Sequence, residues 1–285
     1  MTNNQEVIQR EIERVLRLMA SAPEANHRIF YGSDPCHFGD LFLPVGPGPH
    51  PLVIFFHGGW WRSLVGLEYT NHLCKQLAKD GIAVWNVEFR RIGETGGGFP
   101  NTFFDLAAGT DFVHSLAQDY PIDLNRIVAM GHSAGGHISL WLSGRHRISP
   151  DSPIYSKSAV NLRGAISLSG VVDLRVASQL EILDVIENKI VVHELLNGTP
   201  VEVPDNYAAA NPGELLPIGI PQILIHGMED EQVPYKLSTM YSEAAKEIGD
   251  DVELILLQDA NHFDLIDPTA KAYEVVKSKV IQLLR

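Results

Sequence analysis

Six short apolar runs, rich in β-branched residues and separated by segments of helical periodicity, constrain this chain more than any other feature. They are Pro51 to Phe56, Ile82 to Val87, Arg126 to Met130, Gly164 to Leu168, Gln222 to Ile225 and Val252 to Leu257. Runs this short, with little polar alternation, suit strands buried on both faces. The intervening stretches Leu67 to Lys79, Thr102 to Gln118, Gly135 to Ser143, Tyr235 to Ile248 and Pro268 to Leu284 repeat apolar residues three and four apart, as helices do. Strict alternation of the two predicts an α/β fold: right-handed βαβ units and a mostly parallel central sheet with helices on both faces.

Three stretches lie outside this pattern. An amphipathic helix is expected within residues 1–22, where Val7, Ile8, Ile12, Val15, Leu16 and Met19 share a face. It either packs on the body or acts as a lid or dimer contact. Arg28 to Leu43 reads as an antiparallel hairpin at a sheet edge. Residues 171–221 combine a helix expected from Leu180 to Leu196 with a series of prolines, and contain too few apolar residues for a separate core. They read as a short cap-like insertion over one edge of the sheet, so residues 1–285 are expected to form a single domain.

With 22 basic against 35 acidic residues, the net charge of −13 argues against nucleic acid and anionic lipid as partners. The expected partner is a small-molecule substrate, with neither nucleic acid nor membrane; a homodimer stays open. The two cysteines, Cys36 and Cys74, have no metal-type spacing, and the chain is too large to need a disulfide framework. Met1 to Arg17 has no apolar run of the secretory kind, so a cytoplasmic location is the expectation.

The strand ending at Met130 runs into Gly131-His132-Ser133-Ala134-Gly135-Gly136, and a helix follows through Leu140 and Trp141. Strand, tight glycine turn and helix are the context that a nucleophile elbow requires. Ser133 is therefore the candidate nucleophile, with the Ala134 amide at the helix N-terminus as an oxyanion donor. His57-Gly58-Gly59-Trp60-Trp61 directly follows the first buried strand, and its glycines let the Gly58 and Gly59 amides complete the oxyanion hole. His57 reads as a structural brace rather than a base. Trp60 and Trp61 are candidates for the substrate-pocket wall, with core packing as the alternative.

A serine nucleophile needs a base and an orienting acid, expected in the order Ser, Asp or Glu, His. Asp230, in the loop after the strand at Gln222 to Ile225, is the leading acid, with Glu229 and Glu231 as rivals. Of the 12 histidines, His262 is singled out as the base by its place after the last strand. No cofactor or metal enters this chemistry.

With these residues in view, the chain resembles the α/β-hydrolase superfamily over roughly Leu52 to the C-terminus. It is most similar to the His-Gly-Gly branch of carboxylesterases, hormone-sensitive-lipase-like esterases and kynurenine formamidases. The kynurenine formamidase likeness lies in His57-Gly58-Gly59-Trp60-Trp61, in Gly131 to His137 and in Asn261-His262-Phe263-Asp264. The resemblance implies that Asp230 is the triad acid, that Asp105 is a buried brace, and that a small carboxylic ester or an arylformamide such as N-formylkynurenine is cleaved through an acyl-enzyme. A serine peptidase of the prolyl-oligopeptidase type and a non-catalytic binder on the hydrolase scaffold are the alternatives.

Overall fold

A computed structural model describes residues 2–157, 160–184 and 187–285, and the side chains of these except 2–8 and 11. The N-terminal helix α1 (Thr2–Ala20) is followed by the antiparallel pair β1 (His27–Phe30) and β2 (Phe38–Phe42). Then come β3 (His50–Phe56), α2 (Asn71–Lys79), β4 (Ala83–Val87), α3 (Asn101–Asp111), α4 (Val113–Asp119), β5 (Ile122–His132), α5 (Ala134–Gly144) and β6 (Gly164–Leu168). The chain ends with α6 (Leu174–Gln179), α7 (Val191–Leu195), α8 (Pro204–Ala210), β7 (Gln222–Gly227), α9 (Lys236–Glu247), β8 (Val252–Leu257) and α10 (Ala272–Leu284).

The strands form one sheet in the order β1-β2-β4-β3-β5-β6-β7-β8, parallel from β4 to β8 and antiparallel at β1 and β2. All six expected runs are strands of this sheet, which has the α/β-hydrolase arrangement. Side chains alternate across each strand, and both faces are covered. In β3, Leu52, Ile54 and Phe56 enter one core, and Val53 and Phe55 enter the other. Burial of each such side chain contributes roughly 1.5–3 kcal/mol, which is why these strands read as continuous apolar runs.

The insertion differs from expectation. In place of one helix from Leu180 to Leu196, α6 ends at Gln179 and α7 covers only Val191–Leu195. Between them the Asp184 carboxylate accepts the amides of Glu187 at 2.6 Å and Lys189 at 3.3 Å and pairs with Arg62 at 3.0 Å. A side chain that captures nearby amides in this way competes with helical hydrogen bonding. Val171, Leu174, Val191 and Leu195 join the main core. Among the described residues, no helix is long and apolar enough to cross a membrane.

Candidate active site

The turn at Ser133 is as tight as its glycines suggest. Ser133 has φ 57° and ψ −119°, a strained conformation for a residue with a side chain. A Cβ on Gly131 would lie 2.0 Å from the Gly135 carbonyl oxygen, and one on Gly135 would lie 1.9 Å from that of Phe56. The Ser133 amide donates to Leu168 of the neighbouring strand at 2.8 Å, so the sheet itself fixes the turn.

Loops after β7 and β8 meet at the same edge. His262 Nδ1 lies 2.7 Å from Asp230 Oδ2, and neither side chain is more than 4% exposed. Asp230 Oδ1 accepts the amides of Gln232 at 2.9 Å and Val233 at 2.8 Å. Burial alone would raise the Asp230 pKa; the charge of His262 and hydrogen bonds from His226 and His262 override it and hold the carboxyl well below its ordinary range. Glu229 and Glu231 are exposed, and among the described residues neither pairs with His262. Ser133 and His262 line one cavity, with no hydrogen bond joining their side chains among the described residues. Such contacts often tighten only when substrate is bound.

The glycine loop departs from expectation at one position. The Gly58 amide does not face the cavity; it donates to Tyr69 Oη at 2.7 Å. Gly59 and Trp60 donate no amide hydrogen bond among the described residues, and both line the cavity. Gly59 at φ 98°, Trp60 at 57° and Trp61 at 54° form a left-handed run, and two consecutive tryptophans in that region are a costly local geometry. Successive amides in such a run converge on one side and make an anion-binding concavity. Ala134, first in α5, has no intrahelical acceptor for its N–H.

Trp60 lines the cavity; Trp61 is buried edge-on against His137. His57 sits behind the loop, with Nε2 2.9 Å from Glu88 Oε1 and its ring stacked on Phe89, a bracing position. Glu88 also pairs with Arg91 at 3.3 Å. Asp105 holds Arg90 Nη2 at 2.6 Å and His37 Nε2 at 2.8 Å, away from the cavity.

The cavity, of about 210 Å³, is predominantly apolar. Its outer wall is α1, through Ile12, Val15, Leu16 and Met19; Val7 and Ile8 lie outside the described side chains. No described residue of the insertion lines it. Tyr69, His132, Leu64 and Phe263 complete much of the wall, and the sequence marked none of them for this role. His226, whose Nε2 lies 3.3 Å from Asp230 Oδ2, was likewise unmarked.

Among known proteins, the chain is 29% identical over 257 residues to a probable isoprenylcysteine alpha-carbonyl methylesterase of Arabidopsis thaliana, covering 86% of this chain and 52% of that protein. It is 25% identical to esterase LipC of Mycobacterium tuberculosis over 89% of this chain and 64% of the other. The chain thus spans about half to two thirds of these relatives. Its fold matches esterase B from Lactobacillus rhamnosis with a TM-score of 0.79 at 17% identity, over 98% of this chain and 92% of that one. A truncated carbohydrate esterase from gut microbiota matches with a TM-score of 0.75 at 19% identity, covering 92% and 97%. Residues 40–244 match the BD-FAE family, and the chain belongs to it.

Proposed function

We propose that the chain is a serine hydrolase that cleaves carboxylic esters with a lipophilic acyl or alkyl group. The observation that carries the proposal is the pairing of His262 with Asp230 together with a strained Ser133, with Ser133 and His262 lining one apolar cavity. The Asp230 carboxylate accepts only, so His262 Nδ1 carries the proton and Nε2 is free to act as base.

In the reaction, Ser133 Oγ attacks the ester carbonyl while His262 Nε2 takes its proton. The tetrahedral oxyanion is held by the amides of Gly59, Trp60 and Ala134, each such donor being worth about 3 kcal/mol. Collapse expels the alcohol, which takes the proton from His262. Water then attacks the acyl-enzyme by the same route and releases the acid. No cofactor enters any step.

The lining of the cavity supports the choice of substrate. Its side chains are chiefly Ile12, Val15, Leu16, Met19, Trp60, Leu64, Val65 and Phe263, with no Lys, Arg, Asp or Glu among the described residues. N-formylkynurenine carries an ammonium and a carboxylate, and both would lose hydration there without a partner. An ester is therefore favoured over that arylformamide. A peptidase that reads a substrate amine would need an acidic group, and none is among the described lining residues.

The test is labelling with a fluorophosphonate, together with turnover of p-nitrophenyl butyrate, N-formylkynurenine and an aminoacyl anilide. Labelling of the wild type but not of Ser133→Ala, with the ester turned over fastest, is expected. An unlabelled wild type, as a non-catalytic binder would give, or a faster anilide, overturns the proposal.

A further inference from the structure

The amide of Gly58 donates to Tyr69 Oη at 2.7 Å, Tyr69 Oη lies 2.9 Å from His132 Nδ1, and His132 Nε2 lies 2.9 Å from the carbonyl oxygen of His262. The direction of each bond is fixed by chemistry. A carbonyl only accepts, so His132 carries its proton on Nε2 and presents Nδ1 as an acceptor. Tyr69 must then donate its O–H to Nδ1 and accept from Gly58. Both side chains are buried, Tyr69 at 2% exposure and His132 at 0%, so bulk water does not compete. Burial, followed by the charge of nearby His262, keeps His132 well below its usual pKa, and burial pushes the Tyr69 phenol well above its own, so it stays protonated.

The chain of bonds crosses the site from one side to the other. Gly58 belongs to the loop after β3, whose next two amides are those assigned to the oxyanion. His132 is the residue before the candidate nucleophile, and His262, after β8, is the candidate base. Ring contacts run alongside: His132 to His262 at 4.5 Å between centroids, and Tyr69 to Phe263 at 6.3 Å. Gly58 also packs tightly, since a Cβ there would meet Ser133 Cβ at 2.7 Å and Tyr69 Oη at 2.8 Å.

We propose that Tyr69 and His132 are positioning residues that hold the glycine loop and the His262 loop in register, so that oxyanion donors and base act on the same carbonyl. The peptide plane of Gly58 sets the direction in which the Gly59 and Trp60 amides point. Releasing it from Tyr69 leaves a buried N–H without an acceptor, and the loop relaxes to satisfy it. The loss falls on the transition state, where the donors matter, rather than on ground-state binding. This inference rests on the serine-hydrolase reading above.

Tyr69→Phe retains the ring against Phe263 and deletes only Oη. On p-nitrophenyl butyrate it is expected to lower kcat about 10- to 100-fold with KM within about threefold, since oxyanion donors act on the chemical step. Affinity for a trifluoromethyl ketone, which forms the tetrahedral adduct, should fall in step with kcat/KM. His132→Asn retains an acceptor for Tyr69 and loses the donor to His262; its loss combined with Tyr69→Phe should be well short of the product of the two, as for members of one network. If Tyr69→Phe proves poorly folded, His132→Asn alone decides the matter: a loss in kcat with KM little changed is expected, and kinetics within twofold of wild type overturn the positioning role. A wild type that fluorophosphonate does not label overturns the underlying reading and this one together. A labelled wild type with Tyr69→Phe kinetics within twofold, a KM effect alone, or fully multiplicative losses overturns the positioning role only.

Discussion

Arg14 Nη2 of α1 lies 3.1 Å from Asp264 Oδ1, two residues beyond His262 and 250 positions away in the chain. The same guanidinium reaches Asn261 Oδ1 at 3.1 Å and Asp267 at 3.5 Å, and stands over the Phe263 ring. One half-buried side chain thus fastens the outer wall of the cavity to the loop that carries the candidate base.

Loosening that clasp should alter substrate preference. A half-buried charged hydrogen-bond set is worth on the order of 1–2 kcal/mol, or about tenfold in an equilibrium. Arg14→Met is expected to lower kcat/KM for p-nitrophenyl octanoate about tenfold relative to the acetate, because a long chain needs the α1 wall and an acetyl group does not. Glu13→Gln, on the exposed side of α1, should leave the chain-length profile as it is. Parallel profiles for Arg14→Met and wild type would show that α1 does not select the substrate.

Among the three carboxylates of the loop after β7, only Asp230 meets His262. Asp230→Asn should lower kcat by about 10³ to 10⁴, because an amide in that place favours the wrong imidazole tautomer. Glu229→Gln and Glu231→Gln should each stay within about twofold of wild type, as exposed loop charges usually do. A loss at Glu229 or Glu231 comparable with that at Asp230 would reassign the acid.

At Gly59 both the backbone conformation and the space around it disfavour any other residue. Its φ of 98° disfavours any side chain, and a Cβ there would lie 2.8 Å from Val65 Cβ. Gly59→Ala is expected to reduce kcat by about 10²- to 10³-fold, the cost of misplacing one oxyanion donor. Turnover within threefold of wild type would remove Gly59 from the oxyanion site.

Much of this was legible in the chain, for reasons that differ from residue to residue. The strands showed because each is buried on both faces and so carries an apolar run that a loop or surface helix would not. The turn at Ser133 showed because only glycine fits at Gly131 and Gly135. Gly58 misled because two adjacent glycines look alike in sequence, whereas the Gly58 amide is taken by Tyr69 and the Gly59 amide is not; that difference depends on Tyr69, which lies in a stretch that reads simply as helix. The Leu180 to Leu196 periodicity failed because Asp184 claims nearby amides through its side chain. The α1 wall was visible as an amphipathic face, but which surface it covers is set by Arg14 and by residues around position 264, too distant in sequence to read.

Two buried histidines make stability depend on acid. His137 donates Nε2–H to the Ala210 carbonyl at 2.9 Å, Nδ1 has no hydrogen-bond partner among the described residues, and burial lowers its pKa to about 4. His132 is also held well below its usual value, first by burial and then by His262. In the unfolded chain both titrate near ~6.5. Below that pH the unfolded state takes up protons that the folded state refuses, so stability is full above about 6.5 and falls as the pH drops towards 4. For His137 the loss levels off near pH 4, at roughly 3 kcal/mol. Asp230 adds to acid sensitivity only below about 3.9, where its unfolded counterpart begins to bind protons. Melting temperature should therefore hold from pH 7.5 to about pH 6.5 and decline from there to pH 4.5. In His137→Gln, which keeps a donor for Ala210 but does not titrate, the decline should be distinctly shallower. If the variant's curve falls as steeply as that of the wild type, His137 is not a source of the acid sensitivity.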